Sequence, residues 1–218
     1  MLIILLCLVS TPTFFLPMLR FDAVPESVRE LLARLAPHEA LHDFALGGGT
    51  SLALRFGHRW SVDLDFFTPG EFSSEILFER LSLEQATVTG RAPNSLTVDV
   101  CGVKLDLLRH AYRILAPVER IDGVTLVSLP DLAAMKLNAI ANRGSKKDFF
   151  DLAELLDHFP IQQMIGFFAE KYPSTDPFTV IRSLAWFDDA EQEPDPVALN
   201  GQSWERVMER ARNAVASL

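Results

Sequence analysis

The chain has 218 residues, 49% of them hydrophobic and 22% charged, with 20 Lys and Arg against 29 Asp and Glu and a formal net charge of −9. That length holds one large domain or two small ones around a real core, and the composition excludes a disordered or fibrous chain. The acidic balance excludes a generally basic surface for wrapping nucleic acid, and the two cysteines, Cys7 and Cys101, are too few for a disulfide framework or a cysteine zinc site and fit a reducing compartment without deciding it.

Residues 1–19 carry no charged side chain, and Leu2 to Val9 is an unbroken apolar run. A transmembrane helix needs about 20 residues, so this run is too short to span a bilayer. It has the length of a signal-peptide core but lacks the positive residues in front. Three readings stand: a start assigned too early, with Met18 opening a soluble N-terminus; a signal peptide; or a genuine apolar extension. The first is preferred, so residues 1–17 are set apart from the folded protein.

Val24 to Leu35 has apolar residues at helical spacing, and Pro37 closes it. Phe44 to Leu46 is a short apolar run leading into Gly47-Gly48-Gly49, and Ser51 to Phe56 reads as a helix opening directly after the glycines. Ser61 to Phe67 alternates as a strand, with Val62, Leu64 and Phe66 on one face and Asp63 and Asp65 on the other. Thr68-Pro69-Gly70 is a turn. A helix is expected over Ser73–Leu83. Strands are expected over Ala86–Gly90, Ser95–Cys101 and Val103–Leu108, the last two joined as a hairpin at Cys101-Gly102. That register sets Asp99 opposite Lys104, as an ion pair, and Thr97 opposite Asp106.

Beyond the hairpin the pattern turns helical. Ser128-Leu129-Pro130-Asp131 is a helix start with a capping serine. Further helices are expected over Asp148–Leu156, Ile161–Lys171, Asp176–Ala185 and Trp204–Val215, with Asp188–Asp195 as an acidic surface loop. Strands dominate the first half and helices the second. The fold class is therefore α+β: a lobe with a mixed sheet over residues 18–127, followed by a C-terminal helical region over 128–218.

Two features carry chemistry. Gly48-Gly49-Thr50-Ser51 opens a helix, where glycines let a ligand approach the backbone and free N–H groups suit a phosphate. Asp63 and Asp65 share a strand side, a spacing that suits Mg²⁺. A third carboxylate, Asp106, stands between Leu105 and Leu107, where an acid is costly unless paired or metal-bound. Each alone has a bland reading, as a plain turn or a solvated strand face. Their succession along one chain is much rarer.

The stretch LGGGTSLALRFGHRWSVDLDFF resembles the first motif of the AbiEii/AbiGii nucleotidyltransferase toxin family, within the DNA polymerase β-like superfamily. VKLDLL resembles the strand supplying its third carboxylate, and SLPDLAAMKLNAIANRGSKKDFFDLAELL its helical motif. The resemblance covers about Arg20 to Phe159. It implies that Asp63, Asp65 and Asp106 ligate Mg²⁺, with Asp106 alternatively the base for the incoming hydroxyl. It implies that Gly48, Gly49, Thr50 and Ser51 hold the phosphates of an NTP, and that Lys136 contacts phosphate with Arg143 assisting. Asp148 would orient Lys136 or the acceptor, and His58 would either fix the loop before the strand or touch nucleotide. The bland alternatives are helix-dipole complementarity for Asp148 and Asp151, and a solvated basic patch for Arg143, Lys146 and Lys147.

The implied function is a Mg²⁺-dependent nucleotidyltransferase of a type IV-like toxin–antitoxin or abortive-infection system, cytoplasmic and without membrane attachment. Its partners would be an NTP, an acceptor that in related toxins can be tRNA, and a cognate antitoxin. Two alternatives keep their place: transfer to a protein or small molecule, and a non-catalytic nucleotide-binding module. A remote one is a zinc hydrolase, because His38-Glu39-Ala40-Leu41-His42 fits H-E-x-x-H.

Overall fold

The computed structural model describes residues 18–218. The apolar segment 1–17, with its three readings, lies outside the described residues.

Helix α1 (Glu26–Leu35) buries Val28, Leu31, Leu32 and Leu35, the stripe that its spacing predicts. Strand β1 (Ala45–Leu46) leads into helix α2 (Gly48–Phe56), and then come strand β2 (Leu64–Thr68), helix α3 (Ser74–Leu81), and strands β3 (Ala86–Ala92), β4 (Ser95–Val100) and β5 (Val103–Arg109). The hairpin between β4 and β5 turns at Cys101-Gly102 with φ of 53° and 83°, and the expected register holds: Thr97 lies opposite Asp106 and Asp99 opposite Lys104.

A further hairpin departs from the expected switch to helices. Strands β6 (Glu119–Ile121) and β7 (Val124–Leu126) turn at Asp122-Gly123, with φ of 48° and 82°. Asp-Gly is the favoured pair for a two-residue turn with both φ positive, but three-residue strands are too short to alternate visibly. The seven strands form one mixed sheet in the order β3-β4-β5-β2-β1-β7-β6, with β2 parallel to β5 and β1 parallel to β7.

Helix α4 (Leu129–Asn142) starts where Ser128 Oγ accepts the Asp131 N–H at 3.2 Å. It is followed by α5 (Lys146–Leu155), α6 (Ile161–Lys171), α7 (Pro177–Leu184), a short α8 (Asp188–Glu191) and α9 (Trp204–Ala216). The acidic stretch expected as a free surface loop thus forms α8 and is tied down behind it: Glu193 accepts from Ser145 Oγ at 2.9 Å and from the Lys146 N–H at 2.8 Å. No helix among the described residues is long and apolar enough to cross a membrane.

Two apolar cores result. One packs α1 and α3 against the sheet, and the other joins α4, α5, α6, α7 and α9 around Phe149, Phe168 and Trp204. Helix α2 lies between them, sending Leu54 to the first and Leu52 to the second. The segment from His110 to Val118 is fastened to α4 and α6 by Asp131 and Lys171. The Asp131 carboxylate accepts from the Leu115 and Ala116 N–H groups at 3.1 and 3.2 Å and from Lys171 Nζ at 2.6 Å.

His110, beside Tyr172 Oη at 3.3 Å, has its pKa lowered to about 4, chiefly by burial and secondarily by Lys171. Its folded value lies below the unfolded one, so between about pH 6.5 and 4 the unfolded chain binds more protons, and stability falls as pH falls through that window. His110→Gln is expected to flatten the pH dependence of the urea midpoint over this range. An unchanged slope would show that His110 does not set it.

Candidate active site

A cleft of about 410 Å³ opens where the N-terminus of α2, the edge of β2, β5 and helix α4 meet. The local sequence explains its floor. Helix α2 starts at Gly48 rather than after the glycines, so Gly48, Gly49 and Thr50 form its first turn and carry the N–H groups that a helix leaves free. Gly48 has φ of 64°, and a Cβ there would stand 2.1 Å from Asp65 Oδ2. At Gly49 a Cβ would stand 2.0 Å from Arg59 Nη2. Both positions therefore require glycine, one for its conformation and both for space.

Asp65 on β2 and Asp106 on β5 are register partners in a parallel pair, and both line the cleft. Burial raises the pKa of Asp65, and the neighbouring charges of Asp106 and Asp63 raise it further against the pull of Lys136. Asp106 accepts from Lys104 Nζ and Thr97 Oγ1, both at 2.6 Å. Lys104 thus turns along its own strand and not to Asp99 as expected; Asp99 instead accepts the Gly102 N–H at 3.0 Å and closes the hairpin. Asp63 precedes β2 instead of lying on it. It sits at the cleft rim with Lys147 Nζ 3.8 Å away. Among the described residues no three His, Cys, Asp or Glu side chains converge as a ready-made metal cage.

The hydroxyls of Thr50 and Ser51, two residues expected to hold the phosphates, are turned to other partners or buried. Thr50 Oγ1 donates to the carbonyl of Asp63 and lies 2.8 Å from Ser61 Oγ, so it pins the segment that leads into β2. Ser51 does not line the cleft: it is fully buried, its N–H is bound to the Gly47 carbonyl at 3.2 Å, and its Oγ has no partner among the described residues.

The cationic wall is built on α4 and α5. Lys136 Nζ lies 3.0 Å from Asp148 Oδ1 and 2.6 Å from Asp151 Oδ2, and all three side chains are buried. Burial works against the Lys136 charge, but Asp151 and Asp148 more than offset it and its pKa stands raised. Arg143 holds Asp148 with Nε at 2.7 Å and Nη2 at 2.9 Å, which leaves Nη1 without a partner among the described residues. Asp148 is itself withdrawn from the cleft and fixes Lys136 and Arg143, two of the cations that line it.

Asp151 is the hub that sequence reading missed. It accepts from Arg59 Nε at 2.7 Å and Nη2 at 2.9 Å, and lies 2.8 Å from His58 Nε2. Burial pushes its pKa up, yet Arg59 and Lys136 hold it well below the usual carboxylate range. His58 therefore fixes the loop before β2. Lys146, which the bland alternative put in a solvated basic patch, is buried, with Nζ 2.6 Å from the Glu193 carbonyl and 2.9 Å from Asp195.

The zinc reading fails on geometry. Glu39–Leu41 is one 3-10 turn, His38 Nδ1 accepts the Ala40 N–H at 3.2 Å, and His42 Nε2 lies 3.0 Å from Asp43, so the two imidazoles serve a turn and a surface pair.

A glycine-opened helix facing two paired strand carboxylates, with fixed cations opposite, can accept a polyphosphate on one side and a divalent cation on the other. Comparison with known proteins places the arrangement. The sequence profile of the AbiEii nucleotidyltransferase toxins of type IV toxin–antitoxin systems matches residues 30–98 and 80–216. The chain belongs to this family. An uncharacterized protein of Aquifex aeolicus is 33% identical over 172 residues, covering 76% of this chain and 84% of that protein. In fold, the chain is similar to MenT4, a nucleotidyltransferase toxin of Mycobacterium tuberculosis, with a TM-score of 0.57 at 16% identity over 88% of this chain and 84% of that one. It is also similar to JHP933 from Helicobacter pylori, with a TM-score of 0.52 at 16% identity over 88% and 90%. As an AbiEii family member the protein is a nucleotidyltransferase. Membership implies an NTP substrate and an antitoxin partner, and nucleotidyltransferases generally use a divalent metal.

Proposed function

We propose that this AbiEii toxin transfers the NMP of an NTP to an acceptor hydroxyl in a Mg²⁺-dependent reaction in the cytoplasm, with the 3′ end of tRNA as acceptor. The observation that carries the reading is the pairing of Asp65 with Asp106 across β2 and β5, facing the open N-terminus of α2 in one cleft. Residues 18–127 supply the carboxylates, the glycine turn, Arg59 and Lys104, and residues 128–218 supply Lys136, Arg143 and Lys147. An acceptor RNA is supported by Lys104, Arg143 and Lys147, three of the cations that line the cleft of an otherwise acidic chain.

The donor set suits Mg²⁺. Two carboxylates side by side, one with its pKa raised by burial and by its acidic neighbours, favour a cation between them. A set that does not close into a cage matches an ion that keeps waters and takes its remaining oxygens from substrate phosphates. Asp65 and Asp106 would hold it, with Asp63 joining from the rim. Bound there, Mg²⁺ supplies Lewis-acid and template chemistry at the phosphates.

The chain's own groups do the rest. The N–H groups of Gly48, Gly49 and Thr50 bind phosphate oxygens, helped by the helix dipole. Lys136, locked by Asp148 and Asp151, offsets phosphate charge from a fixed position. Arg143 offers Nη1. Asp106 Oδ2 takes the proton of the acceptor hydroxyl as Lys104 turns away to the departing phosphates. The acceptor oxygen bonds to the α-phosphorus, the bond from that phosphorus to the bridging oxygen breaks, and pyrophosphate leaves.

The direct test incubates purified protein with each α-labelled NTP, Mg²⁺, and total cellular RNA and protein. Label on RNA is expected; label on protein alone, or nowhere, contradicts the proposal. Lys104 yields a further prediction. Its ammonium offsets the charge of the Asp106 carboxylate that would help hold the metal, so Lys104→Met is expected to tighten binding of Mn²⁺ alone by roughly tenfold, about the strength of one charge-assisted hydrogen bond. Unchanged or weaker Mn²⁺ binding would remove Lys104 from the account.

A further inference from the structure

We propose that a second cavity of about 340 Å³, beside the cleft, is the track for the single-stranded end of the acceptor RNA. The inference rests on the transfer reading above and names where its acceptor lies. The cavity runs between the C-terminal end of α4 and helix α7, and its lining includes Asn142, Arg143, Thr179, Arg182, Trp186 and Asp189.

Three observations converge. Arg143 lines both cavities, so the two adjoin at its side chain. Its guanidinium is held by Asp148 through Nε and Nη2, and the partnerless Nη1 is the donor available to a phosphate on the boundary. Arg182 is exposed and makes no ion pair among the described residues, in a chain where most such cations near the cleft are paired.

Trp186 completes the set. Its side chain is 59% exposed, although Phe187 beside it is buried in the helical core with Phe149 and Trp204. The burial that holds Phe187 fixes the backbone and leaves the indole presented outward. A fixed aromatic face flanked by arginines is the chemistry that stacks an unpaired base and tracks its phosphates without reading sequence. Asp189 is the one carboxylate of the lining; it repels phosphate from the Trp186 end and so directs the backbone toward Arg143 and Arg182.

The track serves a 3′ end. The terminal ribose hydroxyl enters the cleft beside Asp106, the last phosphate meets Arg143, and a preceding base lies on Trp186. A duplex stem cannot present a base face in this way, so the segment held there is unpaired.

The test is equilibrium binding of a fluorescent 12-nucleotide single-stranded RNA, alongside binding of a labelled NTP to the same proteins. Trp186→Ala is expected to weaken RNA binding by about tenfold, while Trp186→Phe retains most of it and NTP binding stays at the wild-type value in both. Arg182→Gln is expected to lower the slope of log affinity against log salt by about 0.7, the value for one phosphate contact to a single strand. RNA binding by Trp186→Ala and Arg182→Gln equal to wild type overturns the track even if NMP transfer to RNA is seen. Wild-type protein that binds NTP but no RNA overturns it as well. Failure of NMP transfer to any acceptor overturns the transfer reading instead, because the binding measurement does not depend on catalysis.

Discussion

Asp65→Asn is expected to lower NMP transfer by about 10³-fold or more while the protein stays folded. Loss of a metal-holding carboxylate removes several kcal/mol of charge stabilisation at the reacting phosphate, and each 1.36 kcal/mol is a factor of ten in rate. The stability side has the opposite sign. The Asp65 pKa is raised in the folded protein, first by burial and then by Asp106 and Asp63, so its charged form costs stability at neutral pH and the cost fades as pH falls through the raised value. Asparagine has nearly the same shape and no charge. Its melting temperature should therefore equal or exceed that of wild type. A variant that transfers NMP at the wild-type rate would remove Asp65 from the site, whereas an unfolded variant would leave its loss of activity uninformative, so melting and transfer are measured on one preparation.

Asp151→Ala is expected to do the reverse: to lower stability first and activity as a consequence. Its carboxylate takes the charges of Arg59 and Lys136 and a contact from His58, all out of water. Removing one partner of a buried ion network leaves the others buried and unpaired, at a cost of about 3–5 kcal/mol. For a chain of this size that lowers the melting temperature by roughly 6–20 °C. The linkage sign follows from the depressed pKa: the stabilisation is present at pH above the ordinary carboxylate value and is lost as pH falls through the lowered folded one. Wild type should thus show an acid-side loss of stability that Asp151→Ala lacks. A melting temperature within 2 °C of wild type, on the order of 1 kcal/mol or less, would contradict the hub assignment.

These two aspartates also mark how far sequence can be read. Asp65 and Asp106 are legible because strand alternation and the hairpin register place them by local rules, and the glycine turn is a local signal too; Asp63, expected on the same strand, falls just before it. The β4–β5 register set Thr97 against Asp106 from spacing alone, and the structure keeps it. Asp151 was not legible. On its own helix it resembles an acid near an N-terminus, and the partners that define it, His58 and Arg59, stand 93 and 92 residues away. Lys146 is hidden in the same way: Arg143, Lys146 and Lys147 look solvated until Glu193 and Asp195 fold back over one of them. Lys104 failed through a choice between two acids on one sheet face, which the register leaves open. Ser51 failed by a single turn of phase. Because α2 begins at Gly48, the first three N–H groups belong to Gly48, Gly49 and Thr50, and Ser51 turns inward. Hairpin β6–β7 carried the Asp-Gly signal but strands too short to show a period.

The most direct measurement of the central claim follows the two ends of one NTP. Wild-type protein is incubated with tRNA, Mg²⁺ and NTP labelled either on the α-phosphate or on the γ-phosphate. The account predicts that α label moves to the 3′ end of the RNA while γ label is released as pyrophosphate. Transfer of γ label to the acceptor, or release of phosphate with no α label on RNA, would contradict it.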